Sequence, residues 1–405
     1  MTLIFNPLEP GYVENPFPHL ADMRNQMPVH ESPFGPWMLF TYEDCFRLLR
    51  DPKLSVDPQK AVVFNEKRAD AFVDAMRELG HEPERSYSIL NTDAPDHTRL
   101  RRLVSRAFTP RTTEGLRPMI ERMVDAMLDT FAANGGGDLV SGLAFPLPFD
   151  VIVEMLGMPQ GDAEEICKWS EALVHTLDPV VADDVLREAA AASIKMDAYI
   201  ESVIAWKREN PGDDLLTAMI EAEEDGDRMS TVELRDQVRL LFVAGHETTV
   251  NLIGTGLYEL LRNPDQAELW RGNPDIGARA VDELLRYVSP VQFSRRITTS
   301  DFEINGAHIA SGTFVLASLA SSNRDPAHFG RTANELDLAR EDAGQHLSFG
   351  SGSHYCLGAS LAKLEAQVAI GRFIERFSEI TVVSVEWNGR INLRGLSALH
   401  FTIDS

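Results

Sequence analysis

Cysteine is scarce in this chain: three in 405 residues, at positions 45, 167 and 356. So few, so far apart, form no disulfide framework, and the chain reads as one folded in the reducing cytoplasm. Basic residues are in deficit, 38 Lys and Arg against 62 Asp and Glu, for a formal net charge of −24. That deficit excludes a nucleic-acid binder or a protein held on anionic membranes, and it makes any basic patch informative. An uncharged apolar run of membrane length is missing too. The longest candidate, Val238 to Leu261, carries Arg239, His246, Glu247, Asn251 and Glu259 and reads as one long helix through a protein core. There is no secretory signal pattern at the N-terminus, no internal repeat, no heptad run and no low-complexity tract.

What remains is an ordinary globular composition, 44% hydrophobic and 25% charged. Helical periodicity runs from about residue 96 to 288, punctuated by Gly135-Gly136-Gly137, Pro146, Pro159, Pro179, Pro211-Gly212 and Pro264. Short β-rich patches at 37–41, 295–305, 313–318, 379–385 and 399–403 place a minor sheet content toward the two ends. The expectation is a single domain over 1–405, mainly α with small peripheral β-sheets. Residues 55–92 are irregular, with a helix over Phe64 to Leu79, and are a candidate lid.

The most telling segment is Phe349-Gly350-Ser351-Gly352-Ser353-His354-Tyr355-Cys356-Leu357-Gly358. Apolar residues Leu357, Leu361, Leu364, Val368, Phe373 and Phe377 follow at helical spacing, so the sulfur lies near a helix N-terminus, where orphan N–H groups favour a thiolate. Gly350, Gly352 and Gly358 let the loop approach a flat object closely. One Cys and one His are too few for structural zinc.

Three further constellations are ambiguous singly. Ala244-Gly245-His246-Glu247-Thr248-Thr249 puts a glycine and two mid-helix threonines in the long core helix; threonine bonding back to the carbonyl four residues earlier bends a helix and opens a groove. Glu247 there is either an acid beside the Thr248 alcohol or half of a core salt bridge. Glu283 and Arg286, three apart in a helix over 275–288, read in isolation as a solvated pair. In the basic run 97–108, His97 and Arg101 share a face with Val104 and Phe108, while Arg99, Arg102 and Arg106 share nearly the opposite one. The inner pair suits a buried anion, the outer trio a basic patch or a plain solvated face.

Together, the cysteine loop, the Ala-Gly-x-Glu-Thr-Thr helix and the Glu-x-x-Arg helix resemble a bacterial cytochrome P450 over nearly the whole chain. The resemblance implies haem b with Cys356 as its thiolate ligand to the iron, Phe349 beside the sulfur, and Gly350 and Gly358 in the ligand loop. It implies His97, Arg101, Arg296 and His354 as partners of the haem propionates, and Glu283, Arg286 and Arg340 as a structural ion-pair group. Ala244 and Gly245 become the groove over the cofactor, and Glu247 and Thr248 the pair that delivers protons during oxygen activation. The activity implied is a monooxygenase that hydroxylates or epoxidises an apolar or amphipathic small molecule. Its electrons come from a separate ferredoxin or flavodoxin with an NAD(P)H-dependent reductase. The docking patch is assigned to Arg99, Arg102 and Arg106, joined by Lys363, and the substrate pocket to Leu90, Val181, Val243, Val291, Phe293 and Leu396. A monomer is expected. A haem-thiolate sensor has no use for the acid–threonine pair, and a cysteine hydrolase lacks an acyl-transfer motif around Cys356.

Overall fold

The computed structural model describes residues 3–33, 35–62, 65–82, 86–105, 108–159, 163–178, 181–224 and 227–404. Its helices start and stop where local chemistry directs. Thr231–Gly245 opens on a capping box: Ser230 Oγ accepts the Glu233 N–H at 3.2 Å, and the Glu233 carboxylate accepts the Ser230 N–H at 2.8 Å. Gly277–Val288 buries Ala280, Val281, Leu284, Leu285 and Val288 and ends at Ser289, whose φ of 47° breaks the helix just before Pro290. Ala359–Arg376, after the cysteine loop, buries Leu361, Leu364, Val368 and Phe373 as the spacing predicts. These side chains meet Leu128, Val250, Ile253 and Leu257 in the largest apolar cluster. At roughly 1.5–3 kcal/mol for each large side chain removed from water, this cluster anchors the helices that carry the candidate site.

Two larger sheets and two two-stranded hairpins lie beside the helices among the described residues. A five-stranded one runs in the order Val29–Glu31, Trp37–Leu39, Phe314–Ser318, Phe293–Thr298, Leu54–Ser55. A three-stranded one runs Ile380–Trp387, Leu396–Ile403, Gly136–Asp138. The last strand shows that the triple glycine does more than interrupt the helical periodicity: Gly136 and Gly137 pair in a sheet. Gly136 lies against Leu396–Ile403 so closely that a Cβ would fall 2.2 Å from the Phe401 carbonyl oxygen, and only glycine fits. The 295–305 patch is likewise two strands, Phe293–Thr298 and Phe302–Ile304, separated by a turn.

The long helix predicted over 238–261 is two helices, Thr231–Gly245 and Glu247–Arg262, meeting at His246. The candidate lid holds a helix at Asn65–Glu78, which packs on Asp183–Glu209. Residues 86–92 are stitched to Thr231–Gly245: Asp236 accepts the Tyr87 N–H at 2.7 Å, and Gln237 accepts from Ile89 at 3.1 Å while donating to Tyr87 O at 2.7 Å. Among the described residues no helix is long and apolar enough to cross a membrane.

Candidate active site

The cysteine loop is held from inside. The Cys356 N–H donates to Phe349 O at 2.9 Å, and the Gly350 N–H to Leu347 O at 2.8 Å. Gly352 takes a φ of 75° with the Leu49 carbonyl 3.0 Å from where a Cβ would stand. Gly358 differs: its φ of −83° suits any residue, and a Cβ there would project into open space. The Phe349 ring lies between His346 and Tyr355, with centroids 5.6 and 6.1 Å away. Cys356 is solvent-accessible yet crowded by protein, as a residue facing an internal cleft is. That crowding decides its ionisation in the free protein. Burial raises the thiol pKa, outweighing the Gly358 N–H and the Arg101 charge. Burial thus opposes the thiolate bias expected of the helix terminus.

Opposite charge gathers nearby. The His97 and His354 rings lie with centroids 4.0 Å apart, tilted at 38°, and Arg101 reaches across to donate to Tyr355 O at 2.6 Å. Arg296 enters from the strand Phe293–Thr298 and donates to Leu49 O at 3.1 Å. The four come from distant segments, yet each lowers or answers to the others. Burial, then His97 and Arg296, push the His354 pKa down to about 3; burial takes Arg296 down to about 10. Asp93 is the carboxylate that acts on this cluster, and it is already engaged by Ser55, the Val56 N–H and Lys60. His97 Nε2 is buried without a partner. Two arginine charges and two neutral imidazoles, one with an unpaired ring nitrogen, make a donor cluster that suits an anion from outside the chain.

The broken helix forms a second wall. Thr248 Oγ1 donates to Ala244 O at 2.8 Å and Thr249 Oγ1 to Gly245 O at 3.1 Å, the back-bonding that bends a helix. Ala244 and Thr248 are half-buried and Gly245 exposed, whereas Phe242, His246, Glu247 and Thr249 are buried. Glu247 turns away from the threonine to Arg390, with Oε1 2.5 Å from Nη1. Burial raises its pKa, with Arg390 opposing. Leu357, next to Cys356, packs on the cluster that holds Phe242 and Val243, which links the loop to this helix.

Glu283 and Arg286 are not a solvated pair: both are wholly buried. Arg286 donates to Glu283 Oε2 and Oε1 at 2.6 and 2.8 Å, and to the carbonyls of Asn323, Ala333 and Glu335. Arg340 completes the group, its Nε 3.3 Å from Glu283 Oε1.

The family model for cytochrome P450 matches residues 56–271 and 278–386. The chain belongs to the cytochrome P450 family. Cytochrome P450 107B1 of Saccharopolyspora erythraea is 42% identical over 90% of this chain and 88% of its own. The cytochrome P450 monooxygenase PikC of Streptomyces venezuelae is 36% identical, covering 96% and 91%. Among solved structures, the Bacillus subtilis bacillaene polyketide synthase P450 PksS superposes with a TM-score of 0.88 at 34% identity, covering 99% and 100%. This P450 is thus a monooxygenase, and its cofactor is haem with an axial cysteine thiolate. The residues present fit that group: an accessible sulfur in a closely packed loop, open space beside Gly358, and a cluster of arginine and imidazole donors that includes the unpartnered His97 Nε2.

Some assignments do not survive. Arg99 is ion-paired to Asp227 and Glu233, and Lys363 lies 2.6 Å from Asp282, so both charges are spent within the protein. Arg102 is exposed; Arg106 lies outside the described residues. Phe293 packs in a cluster with Phe5 and Phe40, and Leu396 in the main core, so both are more deeply buried than the other four pocket candidates. Val243 is half-buried beside the broken helix, Val181 is half-buried, Leu90 is 47% exposed, and Val291 forms a bridge with Leu393. Sequence reasoning missed Arg390 altogether. Its one signal is Asn388-Gly389, a turn dipeptide that sets the arginine just past the end of strand Ile380–Trp387.

Proposed function

We propose that Cys356 is the axial ligand of the haem, that His97, Arg101, Arg296 and His354 bind its propionates, and that the whole chain is one P450 domain of a cytoplasmic monomer. The observation that carries this is the pairing of an accessible cysteine at the mouth of Ala359–Arg376 with a cluster of two arginines and two imidazoles drawn from three distant segments. When bound, the haem supplies oxygen activation, favoured by thiolate electron density. The chain's own work is to hold the propionates, to shape an apolar cleft with Ala244, Gly245 and Val243, and to move protons through Glu247 and Thr248. Glu283, Arg286 and Arg340 hold the fold around it. The substrate is an apolar or amphipathic small molecule, hydroxylated or epoxidised; the polyketide synthase affiliation of PksS puts polyketides first among compounds to screen. The electrons arrive from a separate ferredoxin or flavodoxin and its NAD(P)H-dependent reductase, docking on the face that carries the exposed Arg102; Arg106, expected from the sequence to share that face, lies outside the described residues.

The test is the absorption spectrum of the reduced carbon monoxide complex. A strongly red-shifted Soret band is expected and should be lost in Cys356→Ser; an imidazole-like spectrum of the intact protein would reject the ligand assignment. Neutralising Arg102 and Arg106 together should slow ferredoxin-supported turnover and flatten its salt dependence.

A further inference from the structure

The approach to the cysteine loop is organised around a buried histidine, His346. Its Nδ1 accepts the Ser348 N–H at 3.2 Å, and its Nε2 lies 3.4 Å from Asp282 Oδ1. That same carboxylate oxygen is 2.6 Å from Lys363 Nζ. Three elements meet in this line: helix Gly277–Val288 through Asp282, the connection 343–349 through His346, and helix Ala359–Arg376 through Lys363.

An imidazole that accepts at Nδ1 carries its proton on Nε2, here the nitrogen that faces the carboxylate. The partners at the two ends therefore fix one tautomer and one ring orientation. Burial lowers the His346 pKa and outweighs Asp282, with Lys363 and Arg286 adding to the effect, so the ring is neutral. Despite burial, the bonds from His346 and Lys363 lower the Asp282 pKa, so the carboxylate stays ionised.

What the pair directs is a short run of main chain. The Leu347 N–H donates to Asn323 Oδ1 at 2.6 Å, the Ser348 N–H to His346, and the Ser348 hydroxyl to Leu285 O at 2.6 Å. With those peptides fixed, Leu347 O receives the Gly350 N–H at 2.8 Å and Phe349 O the Cys356 N–H at 2.9 Å. An apolar side chain at 346 would fill the space without the cost of burying an imidazole against a carboxylate, so packing alone does not account for the pair. Direction does. The Ser348 N–H must point one way for the Phe349 carbonyl, two peptides on, to meet Cys356.

We propose that Asp282 and His346 form a positioning dyad for the cysteine ligand, holding the 347–350 main chain in the one course that presents Cys356 to the haem iron. The dyad acts through Ser348 and Phe349, moves no proton or electron, and rests on the reading that Cys356 is the axial ligand.

The experiment follows the ratio of red-shifted to unshifted Soret absorbance in the reduced carbon monoxide complex of the holoenzyme through a urea series, beside far-ultraviolet circular dichroism. At urea concentrations where the dichroism is still native, His346→Leu should lower that ratio about 10- to 100-fold, the usual effect of removing a group that orients a metal ligand. His346→Asn should return most of the loss, because its Oδ1 can accept the N–H two residues on as His346 Nδ1 does. Asp282→Leu frees the ring to change tautomer and should lower the ratio in the same direction, and it serves where His346→Leu does not fold. A ratio that falls only together with the dichroism marks a purely structural pair and would overturn the proposal. So would an asparagine variant no better than the leucine one, or an Asp282→Leu ratio equal to that of the unsubstituted protein. If the unsubstituted protein itself lacks the red-shifted band, the ligand reading fails and the dyad's role fails with it.

Discussion

Two buried glutamate–arginine pairs in this protein have opposite characters. Around Arg286 every guanidinium N–H is used, by both Glu283 oxygens and three main-chain carbonyls, and neither side chain touches solvent. Around Arg390 the ion contact to Glu247 stands without matched hydrogen bonds, and Nε is idle. The same two residue types thus make a lock in one place and a latch in the other. Saturation is the difference: breaking the first strands several groups at once, breaking the second exchanges one charge balance for another.

The sharpest way to break this comparison is Arg286→Ala, expected to lower unfolding free energy by about 3–5 kcal/mol because it leaves Glu283 buried and uncompensated. Denaturant titration of the purified protein checks it, and a loss below 1 kcal/mol would make the two pairs alike. His246, at the helix break beside the latch, supplies the next effect. Its pKa is lowered in the fold, so the unfolded chain binds more protons between about pH 6.5 and about 4, and stability falls as pH drops through that window. A shift of this size is worth about 3 kcal/mol at most, and His246→Gln should flatten that part of the stability curve.

Arg390→Ala should cost less, about 1–3 kcal/mol, and the cost should depend on pH with a definite sign. Glu247 has a raised pKa in the fold. Once unpaired it can bind a proton, so the penalty is small at acid pH and grows as pH rises through the folded-state pKa. A penalty independent of pH would show that the latch is a packing element. Smallest in stability is Thr248→Ala, within about 1 kcal/mol, since a strained back-bond is exchanged for a better helix former. Its coupling of electrons to product should nevertheless fall severalfold, and unchanged coupling would remove Thr248 from proton delivery.

Local signals were legible where covalent neighbours suffice. The cysteine loop, the amphipathic helix behind it and the back-bonded threonines all follow from spacing and side-chain chemistry within ten or so residues. They were illegible where distant segments set the balance. A surface pair and a core pair look identical at Glu-x-x-Arg, and only burial under 323–340 separates them. Arg99 belonged to an exposed trio by helical geometry, but Asp227 and Glu233, far along the chain, claim it. The unbroken 238–261 helix failed because the run 244–249 was read for bending and not for a full break at His246.

The sequence by itself determined the family, the cofactor and the reaction class, because those depend on short motifs whose chemistry is carried by neighbouring residues. Tertiary structure alone decided which charges are free and which are spent. It brought Arg390 to Glu247, Arg296 and His97 to His354, and Phe293 to Phe5, since burial and charge compensation are sums over everything a side chain touches, and most of those partners lie far away in the chain.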